Sequence, residues 1–253
     1  MYAAERQQTI LSRARSAGRV EVTALAEDLG VTTETVRRDL TVLEERGSLR
    51  RVHGGAIPVE RLDPEPTLAT RSGRLTDVKR RIAARVLDEI PAGSTVLLDS
   101  GSTTLAVVEL LPPDRGLTVV TNSVPAAAQL LARTDVSLYL LGGRVRGVTG
   151  AAVGEWTAAA LADVVVDVAV LGTNGISARR GLTTPDQAEA EAKRAMVSAA
   201  RRVVVATDSS KAGDDHFHRF AEIGGVDVVV TDTDLPDDVA QELRAAGPEV
   251  VTA

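Results

Sequence analysis

Two sets of residues in this 253-residue chain have the types and spacing to do chemistry. The first lies in VTTETVRRDL and SLRRVHGGA: Thr32, Thr33, Thr35, Arg37 and Arg38, then Arg50, Arg51 and His53. Hydroxyls and guanidiniums donate to phosphate oxygens and to the acceptor edges of bases, where a row of carboxylates would be repelled. The second set is a series of short polar stretches, each directly after a run of Val and Leu. They are Asp99-Ser100-Gly101-Ser102-Thr103-Thr104, Thr121-Asn122-Ser123, Gly142-Gly143, Gly172-Thr173-Asn174-Gly175, Asp208-Ser209-Ser210-Lys211 and Thr231-Asp232. Backbone N–H groups, hydroxyls and a lysine suit a small anionic or hydroxylated ligand. Asp99 and Asp208 are possible bases, but no His or Glu is evidently paired with them, and no catalytic residue is assigned.

The elements that position the first set can be read from periodicity. Val36, Leu40 and Leu43 recur at helical spacing, with Thr32 placed as N-cap, Glu34 in the first turn and Gly47 as the stop. Ahead of it VTALAEDLG, with Ala24, Leu25 and Leu29, forms a shorter amphipathic helix, and Gly30 permits a sharp turn between the two. This is helix-turn-helix spacing, in which the second helix enters a DNA major groove. An ordinary helical hairpin with a solvated charged face has the same pattern. The flanks favour DNA: the runs around His53-Gly54-Gly55 predict a β-hairpin wing carrying Arg50 and Arg51 toward phosphates. Residues 6–17 supply a first helix with Ile10, Leu11 and Ala14 inward, and Val20 and Val22 suggest a small strand against the wing.

Residues RQQTILSRARSAGRVEVTALAEDLGVTTETVRRDLTVLEERGSLRRVHGGAI resemble the N-terminal domain of the DeoR family of bacterial transcriptional regulators, most closely in TVRRDL and LRRVHGGA. The resemblance implies a sugar-metabolism regulator with a C-terminal effector-sensing domain.

Composition bounds what else is possible. The chain is 44% hydrophobic, enough to bury a substantial core and leave one α/β domain after a small reader domain. It has no cysteine, which excludes disulfides and thiolate metal sites. No apolar run approaches ~18 residues, and MYAAERQQ has neither a basic nor an apolar leader region, so a cytoplasmic protein without membrane contact is expected. Residues 1–57 hold nine Arg against eight Asp and Glu, a net of +1 within a total of −6. Such weak positive charge predicts that DNA affinity comes from two or more copies bound together, as a homodimer or homotetramer. Five aromatic residues are too few for the stacking platforms of single-strand or RNA binders.

From 58 to 74 the two close prolines of VERLDPEPTLATRSGR and their lack of periodicity read as a linker. The helix DVKRRIAARVLDEI follows, with Val78, Ile82, Val86 and Ile90 on one side. Six apolar runs then alternate with helical stretches: STVLLDS, LTVVTNS, SLYLLGG, VDVAVLG, RVVVATD and VDVVVTD. Continuously apolar strands alternating with helices predict a doubly wound, mostly parallel α/β domain over 75–253. The polar stretches then converge on the edge where strand C-termini lie. The Asp99–Thr104 loop has the makings of an anion cradle, though neither a Walker A nor a GxGxxG pattern is present. Asp99 is assigned to ligand hydroxyls or to its own loop, and Lys211, one of three lysines among 29 basic residues, to a small ligand. Lys193 is expected on a helix surface beside Glu189, Asp214-Asp215-His216-Phe217-His218 as a structural loop rather than a metal site, and Trp156 as a packing residue. No metal or cofactor is called for.

Residues 79–232 resemble the DeoR sensor domain in KRRIA, LLDSGSTT, VVTNS, LLGG, LGTNGISARRGLTTPDQAEAEAKRAM and ATDSSK. That domain shares its broad fold with ribose-5-phosphate isomerase, glucosamine-6-phosphate deaminase and CoA transferases. The resemblance implies phosphorylated-sugar effectors, with the DSGSTT, TNS, GTNG and DSSK positions bordering the pocket. The expectation is a regulator, a repressor of sugar-metabolism genes, that binds a double-stranded DNA operator and is released by a phosphorylated sugar. The alternative is a sugar-phosphate isomerase-like enzyme carrying a DNA-binding domain.

Overall fold

The computed structural model describes residues 3–45, 48–52, 54–58 and 65–253. The chain divides into two compact units, Met1–Pro64 and Glu65–Ala253.

The first unit runs α1 (Ala3–Ala17), β1 (Val20–Glu21), α2 (Val22–Leu29), α3 (Thr33–Glu45), β2 (Leu49–Val52) and β3 (Gly55–Pro58). Gly30, at φ +62°, donates its N–H back to Ala26 and Glu27 and so ends α2 within two residues of the next cap. That cap is Thr32, whose Oγ1 accepts the Thr35 N–H at 3.2 Å. The stop expected at Gly47 lies outside the described residues. Ile10 and Ala14 from α1 meet Leu25, Val36, Leu40, Leu43 and Leu49 in one buried cluster. β2 and β3 pair antiparallel as the expected wing, and Val20 pairs with Ala56 of β3; Val22 instead opens α2.

The second unit opens with α4 (Leu68–Ser72) and α5 (Thr76–Val86), followed by β4 (Thr95–Leu98), α6 (Ser102–Leu110), β5 (Thr118–Thr121), α7 (Val124–Leu130), β6 (Ser137–Leu140), β7 (Arg144–Arg146), β8 (Ala151–Val153) and α8 (Glu155–Leu161). It continues with β9 (Val166–Leu171), β10 (Gly175–Ser177), β11 (Gly181–Thr184), α9 (Gln187–Ala199), β12 (Ala200–Ala206), β13 (His218–Ala221), β14 (Val228–Thr231), α10 (Asp237–Ala245) and β15 (Glu249–Thr252). Seven strands form one sheet in the order β15-β14-β12-β9-β4-β5-β6, and every pairing in it is parallel. Alternate residues feed opposite layers: Val96 and Leu98 join Ile82, Val86 and Val107 on one face, while Leu97 joins Met196, Val205 and Phe220 on the other. Burial on both faces is why the strands read as unbroken apolar runs.

Three features depart from the sequence expectation. β15 adds a seventh strand in a stretch that carries little specific signal. The GTNGISARRGLTT segment folds as the antiparallel pair β10–β11, extended by β13. The segment expected as a linker over 58–74 becomes structured from Glu65 onward within the second unit: Thr67 caps α4 by accepting the Thr70 N–H at 3.2 Å, and the Leu68 N–H reaches the Val148 carbonyl at 2.7 Å. Prolines 64 and 66 gave this stretch its linker-like composition, yet both precede the capped turn.

The strand order supplies the geometry that matters. From β4 the chain builds outward through β5 and β6, then returns to the other side of β4 with β9 and builds outward through β12, β14 and β15. The order therefore reverses between β4 and β9, and such reversals open a crevice at the strand C-termini.

Candidate functional site

In the first unit, α3 presents its polar face. Arg37 and Arg38 are exposed and Thr33 and Thr35 half-buried, while Thr32 is committed to the cap, with its hydroxyl 2.9 Å from that of Thr35. Arg37 has Glu34 at 3.7 Å. From the wing, the Arg51 N–H meets Glu44 Oε1 at 3.0 Å and its guanidinium meets Thr41 Oγ1 at 3.4 Å, so Arg37, Arg38, Thr41 and Arg51 line one open groove. Of Arg50 the structure describes the backbone, opposite Ile57; His53 lies outside the described residues.

The helix is aimed by a residue that periodicity did not single out. Asp39 is buried and accepts from Arg6 Nε at 2.5 Å and Gln7 Nε2 at 3.0 Å, bolting α3 to α1. The Asp39 hydrogen bond, against the cost of desolvation, holds the Arg6 pKa above its ordinary value.

In the second unit, the switch point between β4 and β9 is occupied by an ion pair. Lys193 of α9 donates to Asp99 at the end of β4 and, at 2.9 Å, to the Gly172 carbonyl after β9, while the Gly172 N–H donates to the same Asp99 carboxylate at 3.0 Å. Both side chains are buried. This corrects the expectation for Lys193, which is buried rather than on a helix surface and gives its hydrogen bonds to Asp99 and Gly172, with Glu189 acting on it only through its charge. It also settles one of the two roles considered for Asp99, since Oδ2 organises the loops. Among the described residues, the other oxygen, Oδ1, has no hydrogen-bond partner and is buried.

A second ionic cluster lies on the same unit. Arg146 donates to Glu189 at 2.7 Å and Glu65 at 2.9 Å and sits 3.2 Å from Asp186. Glu65 in turn accepts from Asn174 Nδ2 at 3.2 Å and lies 4.0 Å from Arg71. Burial pushes the Glu189 carboxyl up, with Lys193 and Arg146 opposing. Lys79 of α5 is buried and donates to the carbonyls of Arg71 and Arg74; desolvation draws its pKa down, and Asp208 works against the shift.

The residues expected at the strand ends divide by what their polar atoms already do. Thr104 donates to Gly101 at 3.1 Å, Thr121 to Leu98 at 2.6 Å, and Thr173 to Gly175 at 2.7 Å. Ser123 caps α7, Asp208 caps the turn Ser209–Lys211, and Ser102 and Thr103 open α6. Gly142 accepts from Thr157 at 2.7 Å, and a Cβ on Gly143 would stand 2.4 Å from that hydroxyl, so these two pack α8 at the end of edge strand β6, away from the switch point. Gly175 opens β10 and Lys211 is half-buried. Unengaged atoms remain on Asp99, Ser100 and Asn122, joined by Thr149 Oγ1, Thr231 Oγ1 and two nitrogens of Arg71. Buried polar atoms without partners are scarce in folded proteins, and those of Asp99, Ser100 and Asn122 lie directly after β4 and β5.

Two further expectations resolve differently. Trp156 is 79% exposed, so it is not a packing residue. In the Asp214–His218 stretch, Asp215 accepts from Ser177 at 2.8 Å and His216 Nε2 is 3.1 Å from the Asn174 carbonyl, contacts that tie this loop to the β10 hairpin. Lys193 had a signal that could have been used: three residues from both Ala190 and Met196, it falls on the buried stripe of α9. Arg146 and its partners Glu65 and Glu189 had none, because they meet across 81 and 43 positions.

Family models match both units: residues 6–61 fit the DeoR-like helix-turn-helix domain and residues 75–233 the DeoR C terminal sensor domain. The chain is 37% identical to the HTH-type transcriptional regulator GlpR of Haloferax volcanii, over 99% of this chain and 98% of that one. It is 33% identical to the glycerol-3-phosphate regulon repressor of Escherichia coli K12, over 96% of each. Among solved structures, ribose 5-phosphate isomerase A from Neisseria gonorrhoeae aligns over 57% of this chain and 55% of its own, with 18% identity and a TM-score of 0.39.

Proposed function

The chain belongs to the DeoR family of DNA-binding transcriptional regulators, and from that premise we propose that it represses genes of sugar or polyol metabolism and leaves its operator when a phosphorylated sugar binds the second unit. It is a regulator rather than an isomerase: the relatives matching nearly its whole length are regulators. Thr33, Thr35 and Arg37 meet base edges in the major groove, while Arg38, Arg50 and Arg51 hold the flanking phosphates. Two such readers, carried by a homodimer or homotetramer, span a two-fold-symmetric site in the cytoplasm. Among the described residues, no helix is long and apolar enough to cross a membrane.

The observation that carries the effector reading is the set of unpartnered polar atoms on Asp99, Ser100, Asn122, Thr149 and Arg71. Hydroxyl and amide oxygens suit sugar hydroxyls, and the neighbouring cations suit a phosphate. Occupancy then shifts the equilibrium between DNA-fitting and DNA-releasing states by the ligand's difference in affinity for the two.

The test is fluorescence anisotropy of the full chain on DNA from upstream of its own gene, at fixed salt, titrated with a panel of sugar and polyol phosphates. Tight binding released by one of them is expected. Tight binding indifferent to every phosphorylated compound would overturn the effector assignment while leaving the reader intact.

A further inference from the structure

The seven-stranded sheet treats its two edges differently. At β15 the exposed side chains are Glu249 and Thr252, polar groups that discourage a further strand. At β6, the opposite edge, they are Ser137, Tyr139 and Leu140, the last two 60% and 54% exposed. The Ser137 and Leu141 N–H groups bond inward to the Leu117 and Thr121 carbonyls. By alternation Leu138 and Leu140 turn their N–H and C=O groups outward, where no strand among the described residues pairs with them.

An apolar helix face adjoins this edge. Tyr139 lies beside Val120 and so stands on the side of the sheet covered by α8, whose Leu161 packs in the same cluster as Val120. α9 packs along α8, yet Trp156, Ala159 and Ala160 stay exposed. Thr157 fastens α8 to the end of β6 through the Gly142 carbonyl, which sets Trp156 one residue from that junction. Val145, two residues past Gly143, is exposed as well. The chain has only five aromatic residues, and two of them, Tyr139 and Trp156, are spent on this surface. Tyr and Trp are the side chains that most often anchor protein interfaces.

We propose that this surface is the seam between two copies of the chain, with β6 pairing antiparallel to β6 of the second copy and Trp156 as the anchor beside it. A two-fold axis at Tyr139 makes Leu138 of each copy and Leu140 of the other the hydrogen-bonded pairs and brings the two tyrosines face to face. The rim is self-complementary in charge. Arg144 and Glu155 are both exposed and have no ion-pair partner among the described residues, so Arg144 of each copy meets Glu155 of the other across the axis. The proposal rests on the two-reader regulator reading above and adds the surface that brings in the second reader.

The experiment is sedimentation velocity and tryptophan emission of the full chain over a dilution series. It compares wild type with Leu140→Pro, Trp156→Glu and, as a control, Phe217→Glu, which alters an exposed ring outside this surface. Trp156 is the single tryptophan, so its emission reads the seam directly. Wild type should sediment as a dimer or larger, and its emission should shift to the red as dilution separates the copies. Leu140→Pro removes an outward N–H and no bond to β5, so its cooperative melt should persist while self-association weakens by roughly 30-fold or more. Trp156→Glu should weaken it as much and Phe217→Glu should not; a tetramer that both seam variants split into dimers supports the seam equally. If wild type is oligomeric and both variants stay so, or if its emission does not move when the copies separate, the seam is wrong and the two-reader reading stands. If wild type is a single chain at every concentration, the seam and the two-reader reading fall together. Should neither variant fold, the wild-type emission series decides alone.

Discussion

Lys193 and Asp99 are 94 positions apart and meet where the sheet changes direction. Neither is replaceable alone: Lys193→Met would leave a buried carboxylate facing only the Gly172 N–H, and removing one partner of a buried pair costs about 3–5 kcal/mol. Thermal denaturation should show a large drop for Lys193→Met and a partial recovery when Asp99→Asn is added; additive losses would mean the pair is not coupled. At this scale the chain disclosed the types of its site residues but not their partners. A polar residue after an apolar run is visible as such, so Asp99, Ser100 and Asn122 were legible. Whether its oxygens are spent on a neighbour 73 or 94 positions away is not, and the sequence therefore leaves Asp99 between a ligand contact and a loop fastener, the second of which Oδ2 fulfils.

Among elements, α3 and the wing were legible because each is specified locally: a stripe, a threonine cap and a glycine-dependent hairpin lie within one short segment. The antiparallel pairs β7–β8 and β10–β11 and the helix α4 were not, since their strands are short and their glycines and prolines resemble loop composition. What holds α3 in position is equally non-local, through Asp39 to Arg6 and Gln7. The prediction for this element concerns specificity. Arg37→Ala should weaken binding to the operator by about 1–3 kcal/mol more than binding to random DNA of the same length, as measured by competition anisotropy. Equal losses on both would make Arg37 a phosphate contact rather than a base reader.

The whole molecule carries −6 formal charge, and several of its carboxylates are pinned by arginines. Burial disfavours charge on Glu89, but hydrogen bonds from Arg202 at 2.8 Å and Arg85 at 3.0 Å outweigh it and hold its carboxyl below the usual range. Arg133 does the same for Asp135, against some desolvation, with help from the Asp114 N–H. Such groups are ionised in the folded chain at pH values where the unfolded chain has taken up protons, so stability rises with pH across that window. Their contribution is complete above the unfolded carboxylate range near ~4 and is lost as pH falls through the lower folded values. Melting temperatures between pH 6 and pH 3 should fall on acidification, and Glu89→Gln should flatten that slope; an unchanged slope would remove Glu89 from the account. The sheet's construction has one more consequence. Its apolar strands serve two hydrophobic layers, while the unengaged polar atoms of Asp99, Ser100 and Asn122 stand on segments just past their C-termini. Such a division of labour is a chassis with exchangeable heads: descendants can drift toward new metabolites, and biosensor builders can graft recognition segments, without refolding the scaffold beneath.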